Sequence, residues 1–448
     1  MNVCLANDSF PPVIDGVANT VVNYATIIQK KYGNAIVATP KYPKVVDDYP
    51  FEVIRYPSAN TNKLFGYRMG YPFSPKAMDR IKSKNIDLIH THCPIISTLL
   101  AREVREITNA PIIFTYHTKF DIDIRKAIKG RYIQDTAIKY LVKNIEACDE
   151  VWVVSDGAGK NLKDMGYSGD YIVMENGVDM SVGKSSKEEV DKLKAKHNIP
   201  DNIPVFLFVG RMRWYKGIRI ILDALSALKN EFDFRMVLVG DGLDKSEMEE
   251  YAEEIGVADK CVFTGAIHDR EVLRCYYSTA DLFLFPSTYD TNGIVVREAV
   301  ACSLASVLIK GSCAAEGITD GMNGIFIEEN AESLAKALRE ICKNPDFAKK
   351  LGENALKTLY ISWEDSIDNA YKRYCEVLAK PTIKKVATFD KGIEFVSDTY
   401  KAFSKVDDLR VRMNSNVQQS MIKAKQAYKD EYKRVSEKYG ADEDDRYL

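Results

Sequence analysis

The stretch "LFLFPSTYDTNGIVVREAV", residues 282–300, decides the fold class, because a strand pattern runs through a short polar loop directly into a helix pattern. "LFLF" is an unbroken apolar run, as expected of a strand that is covered on both faces. The loop carries Asp290 and Gly293, and the helix carries Glu298. Strand, loop and helix in this order form the unit of a doubly wound parallel sheet, which binds ligands at the carboxyl ends of its strands.

The same unit recurs along most of the chain. Strand-like runs in the first part are "NVCLA", "AIVATP", "IDLIHTH", "PIIFTYHT" and "EVWVVS". Those in the second part are "VFLFVG", "RMVLVGDG", "CVFTG" and "LFLFPS". Helical patterns such as 17–30 and 95–107 lie between them. The sequence therefore predicts an α/β protein with two Rossmann-like domains, 1–184 and 185–360, that face a cleft.

The alternation stops near residue 380, after the linker-like "KPTIKK". Apolar residues then recur at steps of three and four, as on one stripe of a helix: Val417, Met421, Ala424, Tyr428, Tyr432, Val435 and Tyr439. We predict a helical tail over 380–448. The stripe fits packing on the N-terminal domain, self-association, a partner protein or a membrane surface, and the sequence leaves these alternatives open.

Composition excludes several classes of protein. The net charge of −2 over 448 residues gives no global field that would favour nucleic acid. The nine cysteines include no C-x-x-C pair, which indicates reduced thiols in a cytoplasmic protein. No signal-peptide pattern and no long apolar run is present, so a membrane role would be peripheral. His90 and His92 lack further ligands nearby, and "FDID" at Asp121 and Asp123 is a weak pattern, so we expect no metal site.

The loop "VGRMRWYKG", residues 209–217, carries two cations, Arg211 and Lys216, between a strand and a helix. Cations next to a helix start suit a phosphate or diphosphate. The alternative is a solvated loop with two surface charges. The P-loop pattern and the dinucleotide fingerprint G-x-G-x-x-G are both absent, which disfavours a nicotinamide enzyme.

The acids of the opening stretch fit the two ends of one ligand. Gly293 would let an anion approach the free N–H groups of the helix that follows. Glu298 could accept hydrogen bonds from a ribose diol, and Asp290 could face the group being transferred. The alternative is a helix-terminal acid with a surface glutamate. His117 ends the strand pattern "PIIFTYHT", and Gly16 lies near the first helix start, so both are expected at the cleft.

These pieces together resemble glycosyltransferase family 4, whose members are retaining enzymes of the GT-B fold. The matching motifs span residues 1 to about 378 and include "SFPPVIDGVANTVVNYA", "IDLIHTHCP", "VMENGVDM", "VGRMRWYKGI", "VLVGDG" and "DTNGIVVREAVAC". "ISWEDSIDNAYKRYCEVL", residues 361–378, resembles the closing helix of the family, which crosses back to the N-terminal domain.

The resemblance implies a role for each matching residue. Arg211 and Lys216 would bind the diphosphate of a nucleotide sugar, and Gly16 would approach its phosphate. Glu298 would bind the ribose and Asp290 the donor sugar, with His117 beside the reacting centre. The remaining donor-binding positions are Ile267 near the base, and Thr291, Asn292, Gly293 and Ile294. The resemblance implies no cofactor and no metal, with UDP-glucose as the expected donor.

Four positions bear on the family pattern. Asp290 stands where glutamate is commonest, which bears on donor identity. Ser303 and Ala305 replace the usual glycine and proline, so we expect a slightly altered backbone there, whereas Glu316 keeps its usual place.

Basic and aromatic residues cluster in two N-terminal segments, "TNKLFGYRMGYPFSPK" and "FDIDIRKAIKGRYIQDTAIKYLVKN". They suit an anionic membrane surface and resemble bacterial enzymes that glucosylate diacylglycerol. The expected acceptor or membrane residues are Lys63, Phe65, Tyr67, Arg68, Arg125 and Lys126. Ordinary solvated segments are the alternative. A soluble sugar or polysaccharide acceptor, a two-carboxylate hydrolase and a sugar-nucleotide-binding subunit also stay open.

Overall fold

The computed structural model describes residues 1–13, 15–61, 68–127 and 129–380. Two separate parallel sheets form its framework. Each sheet is covered by helices, and the core clusters on its faces are rich in Val, Ile, Leu and Phe. The expected pair of doubly wound units is confirmed.

The N-terminal sheet has seven parallel strands in the order β3-β2-β1-β6-β7-β8-β9. Its strands are β1 (Asn2–Ala6), β2 (Asn34–Pro40), β3 (Glu52–Tyr56), β6 (Leu88–Thr91), β7 (Ile112–Tyr116), β8 (Glu150–Val153) and β9 (Ile172–Val173), and a separate pair is β4 (Ser58–Ala59) with β5 (Met69–Gly70). Its helices are α1 (Gly16–Lys31), α2 (Pro75–Lys82), α3 (Ile96–Thr108), α4 (Phe120–Ala127), α5 (Arg131–Glu146) and α6 (Asp156–Asp164). The strand order reverses beside β1, which opens a crevice at its carboxyl end.

The C-terminal sheet has six parallel strands in the order β12-β11-β10-β13-β14-β15. They are β10 (Val205–Val209), β11 (Arg235–Val239), β12 (Cys261–Gly265), β13 (Leu282–Phe285), β14 (Ser306–Ile309) and β15 (Ile325–Ile327). The helices are α7 (Lys187–Lys196), α8 (Ile218–Leu228), α9 (Lys245–Glu254), α10 (Arg270–Thr279), α11 (Ile294–Ala301), α12 (Ala331–Lys343) and α13 (Pro345–Leu359). Here the order reverses beside β10, so the crevice lies between the ends of β10 and β13.

The last described helix, α14 (Trp363–Leu378), packs on the N-terminal sheet. Tyr374 stacks on Trp152 of β8 at a ring-centroid distance of 5.5 Å. Arg373 pairs with Glu150 at 2.6 Å between Nη2 and Oε2. Burial of Ile367, Ala370 and Tyr374 in this core anchors the chain back onto its first domain.

The helix after Gly293 ends at Ala301, before the mainly apolar stretch "IVVREAVACSLA", which predicts a helix from Ile294, ends at Ala305. Ser303 ends it with a left-handed backbone, φ 53°, the conformation that favours glycine. Ser303 therefore has the backbone conformation that a glycine would adopt there. We had expected the replacement of glycine to alter the backbone at this position. The predicted tail over 380–448 falls, from residue 381 on, outside the described residues, and no described helix is long and apolar enough to cross a bilayer.

Candidate active site between the two sheets

A cavity of about 730 Å³ lies between the carboxyl ends of the two sheets. Its N-terminal wall comprises Asn7, Asp8, Ser9, Asp15, Gly16, Val17, His92, Cys93, His117, Thr118, Phe120, Asp123, Val154 and Asn176. Its C-terminal wall comprises Val209, Gly210, Arg211, Lys216, Phe285, Asp290, Thr291, Asn292, Gly293, Ile294 and Val295. The structure therefore brings nine of the predicted site residues to one cavity, namely Gly16, His117, Arg211, Lys216, Asp290, Thr291, Asn292, Gly293 and Ile294.

The two cations of the C-terminal wall have different surroundings. Lys216 is 6% exposed, and its Nζ lies 5.8 Å from the ring centres of Tyr215 and Phe285. Arg211 is exposed and makes no hydrogen bond or ion pair with another described residue. One cation is thus fixed by packing, while the other is free to meet an anion in the cleft.

Asp290 is held from both sides. Its Oδ1 lies 2.5 Å from Lys216 Nζ, and its Oδ2 accepts a hydrogen bond from Ser287 Oγ at 2.7 Å. These contacts orient the carboxylate at the edge of the cavity. Because Lys216 is almost buried, Asp290 also balances a charge that would otherwise be costly to desolvate.

The start of α11 completes the C-terminal wall. Gly293 caps the helix with φ 59°, and a Cβ built there would lie 2.8 Å from Ala314 Cβ. Only glycine fits this left-handed, closely packed position. Ile294 and Val295, the first two residues of this helix, line the cavity, and N–H groups at a helix start have no intrahelical acceptor.

His117 is buried at the end of β7 and contacts both walls. Its Nε2 lies 3.0 Å from His92 Nδ1, and its backbone oxygen accepts a hydrogen bond from Thr291 Oγ1 at 2.6 Å. Burial lowers the pKa of His117 to about 3. The ring is therefore neutral at physiological pH.

Glu298 and Ile267 are predicted site residues that do not line this cavity. Glu298 as a whole is 5% exposed. Its carboxylate accepts hydrogen bonds from Arg270 Nη2 and Tyr277 Oη, both at 2.8 Å. Ile267 follows β12 and packs, partly buried, against the C-terminal core. Glu298 lies on α11, and its carboxylate is fixed by two donors that the sequence pattern did not suggest.

Several contacts between the walls escaped the sequence analysis. Ser155 Oγ donates to the backbone oxygen of Thr291 at 2.5 Å. Glu316 accepts hydrogen bonds from the backbone N–H groups of Asp156 and Gly157 at 2.7 and 2.6 Å, which caps α6 from the other domain. A residue after a strand end could be foreseen at the cleft, but its partner on the other domain could not.

The expected acceptor or membrane residues are only partly described. Lys63, Phe65 and Tyr67 lie outside the described residues, as does the side chain of Lys126. Arg68 is half-buried and donates to Ser58 Oγ and O, each at 2.8 Å. Arg125 is exposed and lies 3.4 Å from Asp135. Neither Arg68 nor Arg125 lines the cavity.

Family models match the chain in two consecutive stretches. Residues 14–182 match the model described as Glycosyltransferase Family 4, and residues 189–358 match the one described as Glycosyl transferases group 1. The chain is a glycosyltransferase. The first stretch contains every strand of the N-terminal sheet except β1, and the second contains the whole C-terminal sheet. The cavity of this glycosyltransferase lies between the two matched stretches.

Relatives with this organisation match the glycosyltransferase over most of its length. It is 26% identical to an alpha-monoglucosyldiacylglycerol synthase from Streptococcus pneumoniae, over 86% of this chain and 88% of the relative. It is also 26% identical to the protein of that name from Acholeplasma laidlawii, over 86% of this chain and 98% of the relative.

Solved structures show the same fold. A sucrose-phosphate synthase from Thermosynechococcus elongatus matches with a TM-score of 0.68 and 22% identity, over 84% of this chain and 99% of that one. Anabaena HepE in complex with UDP also matches with a TM-score of 0.68, at 18% identity, over 84% of this chain and 100% of that one. The GT-B architecture is therefore shared.

Proposed function

We propose that this hexosyltransferase moves glucose from UDP-glucose to a hydroxyl of a membrane glycerolipid, with retention of the anomeric configuration. The observation that carries the proposal is the convergence of Arg211, Lys216 and the helix start at Gly293 on one cavity, opposite His117. The two relatives named as alpha-monoglucosyldiacylglycerol synthases support the choice of sugar and acceptor.

Charge development explains why this arrangement accelerates transfer. Departure of the nucleoside diphosphate builds negative charge on the phosphate oxygens. Arg211, Lys216 and the first N–H groups of α11 lie where they can stabilise it, in place of a metal ion. Removal of one such preorganised donor typically costs about 10²–10³-fold in turnover.

Asp290 and Lys216 act as a pair in this mechanism. Lys216 stays within reach of Asp290 Oδ1 at 2.5 Å while its remaining N–H groups can meet a phosphate oxygen. Asp290 is then directed at the hydroxyls of the donor sugar. The acceptor hydroxyl attacks from the face that the leaving group vacates, and the diphosphate assists its deprotonation, so Asp290 need not form a covalent bond.

Recognition of the nucleoside involves the region next to the cavity. We propose that Glu298 meets the ribose hydroxyls with an orientation fixed by Arg270 and Tyr277. Arg270 also donates to the backbone oxygen of Asp179, in the segment that joins the two sheets. Backbone groups near Ile267 would meet the base.

The acceptor would reach the cavity from the membrane. The start of α5 presents Arg131, Tyr132 and Ile133 to solvent, with Tyr132 85% exposed. A cation beside an exposed aromatic and an exposed aliphatic side chain suits the headgroup region of an anionic bilayer. We propose a peripheral enzyme on the inner face of the cell membrane.

A donor panel tests the proposal first. Purified protein is incubated with a set of nucleotide sugars, with and without a chelator, and slow donor hydrolysis is measured. Hydrolysis of UDP-glucose that resists the chelator is expected. Preference for another nucleotide sugar, or dependence on a divalent metal, would contradict the donor or the metal-free mechanism.

The acceptor is tested separately. Vesicles with diacylglycerol in an anionic lipid background are compared with soluble sugars, and the anomeric configuration of the product is determined. We expect α-glucosyl diacylglycerol and sedimentation with the vesicles that weakens at high salt. Transfer to soluble sugars alone would favour the glycan-acceptor alternative.

A further inference from the structure

The second histidine of the cleft, His92, has no assigned role. It follows β6, and His117 follows β7, two strands that pair in parallel register. The sheet therefore brings the two rings together, with His92 Nδ1 3.0 Å from His117 Nε2. His92 is 1% exposed and lines the cavity.

One proton must lie between these two nitrogens, since two lone pairs or two N–H groups would repel each other at 3.0 Å. Burial lowers the pKa of both histidines, so both rings are neutral. Either His92 Nδ1–H donates to His117, or His117 Nε2–H donates to His92. The other nitrogen of His92 decides between them.

His92 Nε2 is buried and has no hydrogen-bond partner in the part of the chain that the structure describes. A buried N–H without an acceptor is rarer in proteins than a buried acceptor without a donor. The proton of neutral His92 therefore belongs on Nδ1, which then donates to His117 Nε2. His117 must carry its own proton on Nδ1.

We propose that His92 is a positioning residue that fixes His117 as the Nδ1–H tautomer, so that His117 presents a neutral hydrogen-bond donor to the cavity. His117 Nδ1 makes no hydrogen bond with another described residue, and the ring borders the cavity. The acceptor of this bond would be an oxygen of the bound donor, a step that rests on the proposed function.

This assignment excludes His117 as the base that takes the proton of the acceptor hydroxyl. Its Nε2 lone pair accepts from His92, and its Nδ1 is already protonated. His117 instead supplies a fixed dipole that stabilises charge on the donor without changing its protonation state.

His90 provides a matched control because it is equally buried but does not touch His117. Its two nitrogens contact hydroxyl groups, Tyr374 Oη at 2.6 Å and Thr115 Oγ1 at 2.7 Å. Its ring centre lies 4.0 Å from that of His92. A substitution there disturbs the same core and leaves the His92–His117 contact in place.

Nitrogen NMR on protein with labelled histidine tests the proposal without any substrate, so its outcome is independent of the proposed function. The chain has five histidines, and single substitutions assign their ring signals. We expect the pattern of an Nδ1–H tautomer for His117 in the unsubstituted protein. We expect a mixed or Nε2–H pattern in His92→Leu and the original pattern in His90→Leu. An Nε2–H tautomer in the unsubstituted protein, or an unchanged one in His92→Leu, would overturn the proposal.

Kinetics give a second readout. His92→Asn keeps an N–H near the Nδ1 position, whereas His92→Leu removes it. We expect kcat for donor hydrolysis to fall about tenfold or more in His92→Leu, with little change in KM, and to recover largely in His92→Asn. Equal losses in the two variants would show that His92 only fills space. If His92→Leu does not fold, the tautomer in the unsubstituted protein still decides.

Discussion

Both walls of the cleft consist of residues that follow the carboxyl ends of parallel strands, yet they carry opposite charge. The C-terminal wall contributes the cations Arg211 and Lys216 and one carboxylate, Asp290. Among the described lining residues, the N-terminal wall contributes the carboxylates Asp8, Asp15 and Asp123 and no lysine or arginine. The difference suits a diphosphate on one side and a neutral hydroxyl acceptor on the other.

The walls also differ in how burial acts on their ionisable groups. On the C-terminal wall the buried cation Lys216 forms an ion pair with Asp290. On the N-terminal wall burial raises the pKa of Asp8 and lowers that of His92 and His117. The C-terminal wall thus pairs its buried charges, whereas burial on the N-terminal wall favours the neutral forms of Asp8, His92 and His117.

The largest loss of activity is expected when either cation of the C-terminal wall is removed. Arg211→Ala and Lys216→Ala are each expected to lower turnover of the donor by about 10²–10³-fold, because the leaving diphosphate loses a charged hydrogen-bond donor. Steady-state donor hydrolysis measures this. Arg213→Ala is the matched control, since Arg213 lies in the same loop, outside the cavity, 3.5 Å from Asp244. A loss in Arg213→Ala as large as in Arg211→Ala would contradict the assignment.

Lowering the pH should destabilise the folded protein through the buried histidines of the N-terminal domain. The folded-state pKa values of His90, His92 and His117 lie below the value in the unfolded chain, about 6.5. The unfolded chain therefore binds more protons below that pH, and the stability of the folded state is lost as pH falls from about 6.5 toward 3. Each histidine contributes a slope of about 1.4 kcal/mol per pH unit in this window. Chemical unfolding at a series of pH values measures it.

His197 is the control for the pH-dependent stability that the three buried histidines contribute. His197, in the other domain, has one ring nitrogen 2.9 Å from Tyr276 Oη and is only partly buried. Replacing His92 should flatten the pH dependence of the free energy of unfolding more than replacing His197. Identical pH profiles in the two variants would argue against a neutral histidine cluster.

The two glycines of the site should respond differently, one on each wall. Gly293→Ala places a Cβ 2.8 Å from Ala314 Cβ at a left-handed φ, and should lower the free energy of unfolding by about 1–3 kcal/mol. Gly16→Ala meets only Ile294 Cδ1, at 3.7 Å. That variant should keep its stability and raise the donor KM, because the methyl group projects where a phosphate would lie. Thermal unfolding and donor kinetics on the same samples separate the two effects, and a destabilised Gly16→Ala would refute the placement.

The smallest effect is expected at the far end of the helix that forms the C-terminal wall. Ser303 adopts φ 53°, at a cost that glycine avoids. Ser303→Gly should stabilise the protein by about 0.5–1 kcal/mol, after the greater freedom of glycine in the unfolded chain is counted. Calorimetry measures the shift in Tm. A lower Tm would mean that the serine side chain makes a compensating contact.

The strand-ending motifs could be found in the sequence because these strands are short, mainly apolar runs that end at polar or turn residues. "NVCLA" and "CVFTG" match β1 and β12 residue for residue. The edge strands β3, β9 and β15 were not predicted. They contain residues such as Arg55 or are only two or three residues long, so their apolar signal is weak. The strand β14 was not predicted either, since no glycine or proline separates "SVLI" from the helix pattern before it.

The individual site residues were accessible from local motifs, but their partners were not. Arg211, Lys216 and Asp290 each stand out beside a strand end. The pairing of Lys216 with Asp290, the contact of His92 with His117, and the bridge from Glu316 to α6 join residues that are 74, 25 and 160 positions apart. The first two contacts depend on which strands are neighbours within one sheet, and the third depends on how the two sheets face each other. No local sequence pattern records either arrangement.

The central claim is that two cations and a helix start bind one diphosphate, and calorimetric titration tests it most directly. UDP and uridine are titrated into the protein and into the Arg211→Ala/Lys216→Ala variant, in the presence of a chelator. The account predicts that UDP binds at least about 100-fold more tightly than uridine to the unsubstituted protein, and that the double substitution removes most of this difference. Equal affinities for UDP and uridine, or a ratio that survives the substitutions, would contradict it.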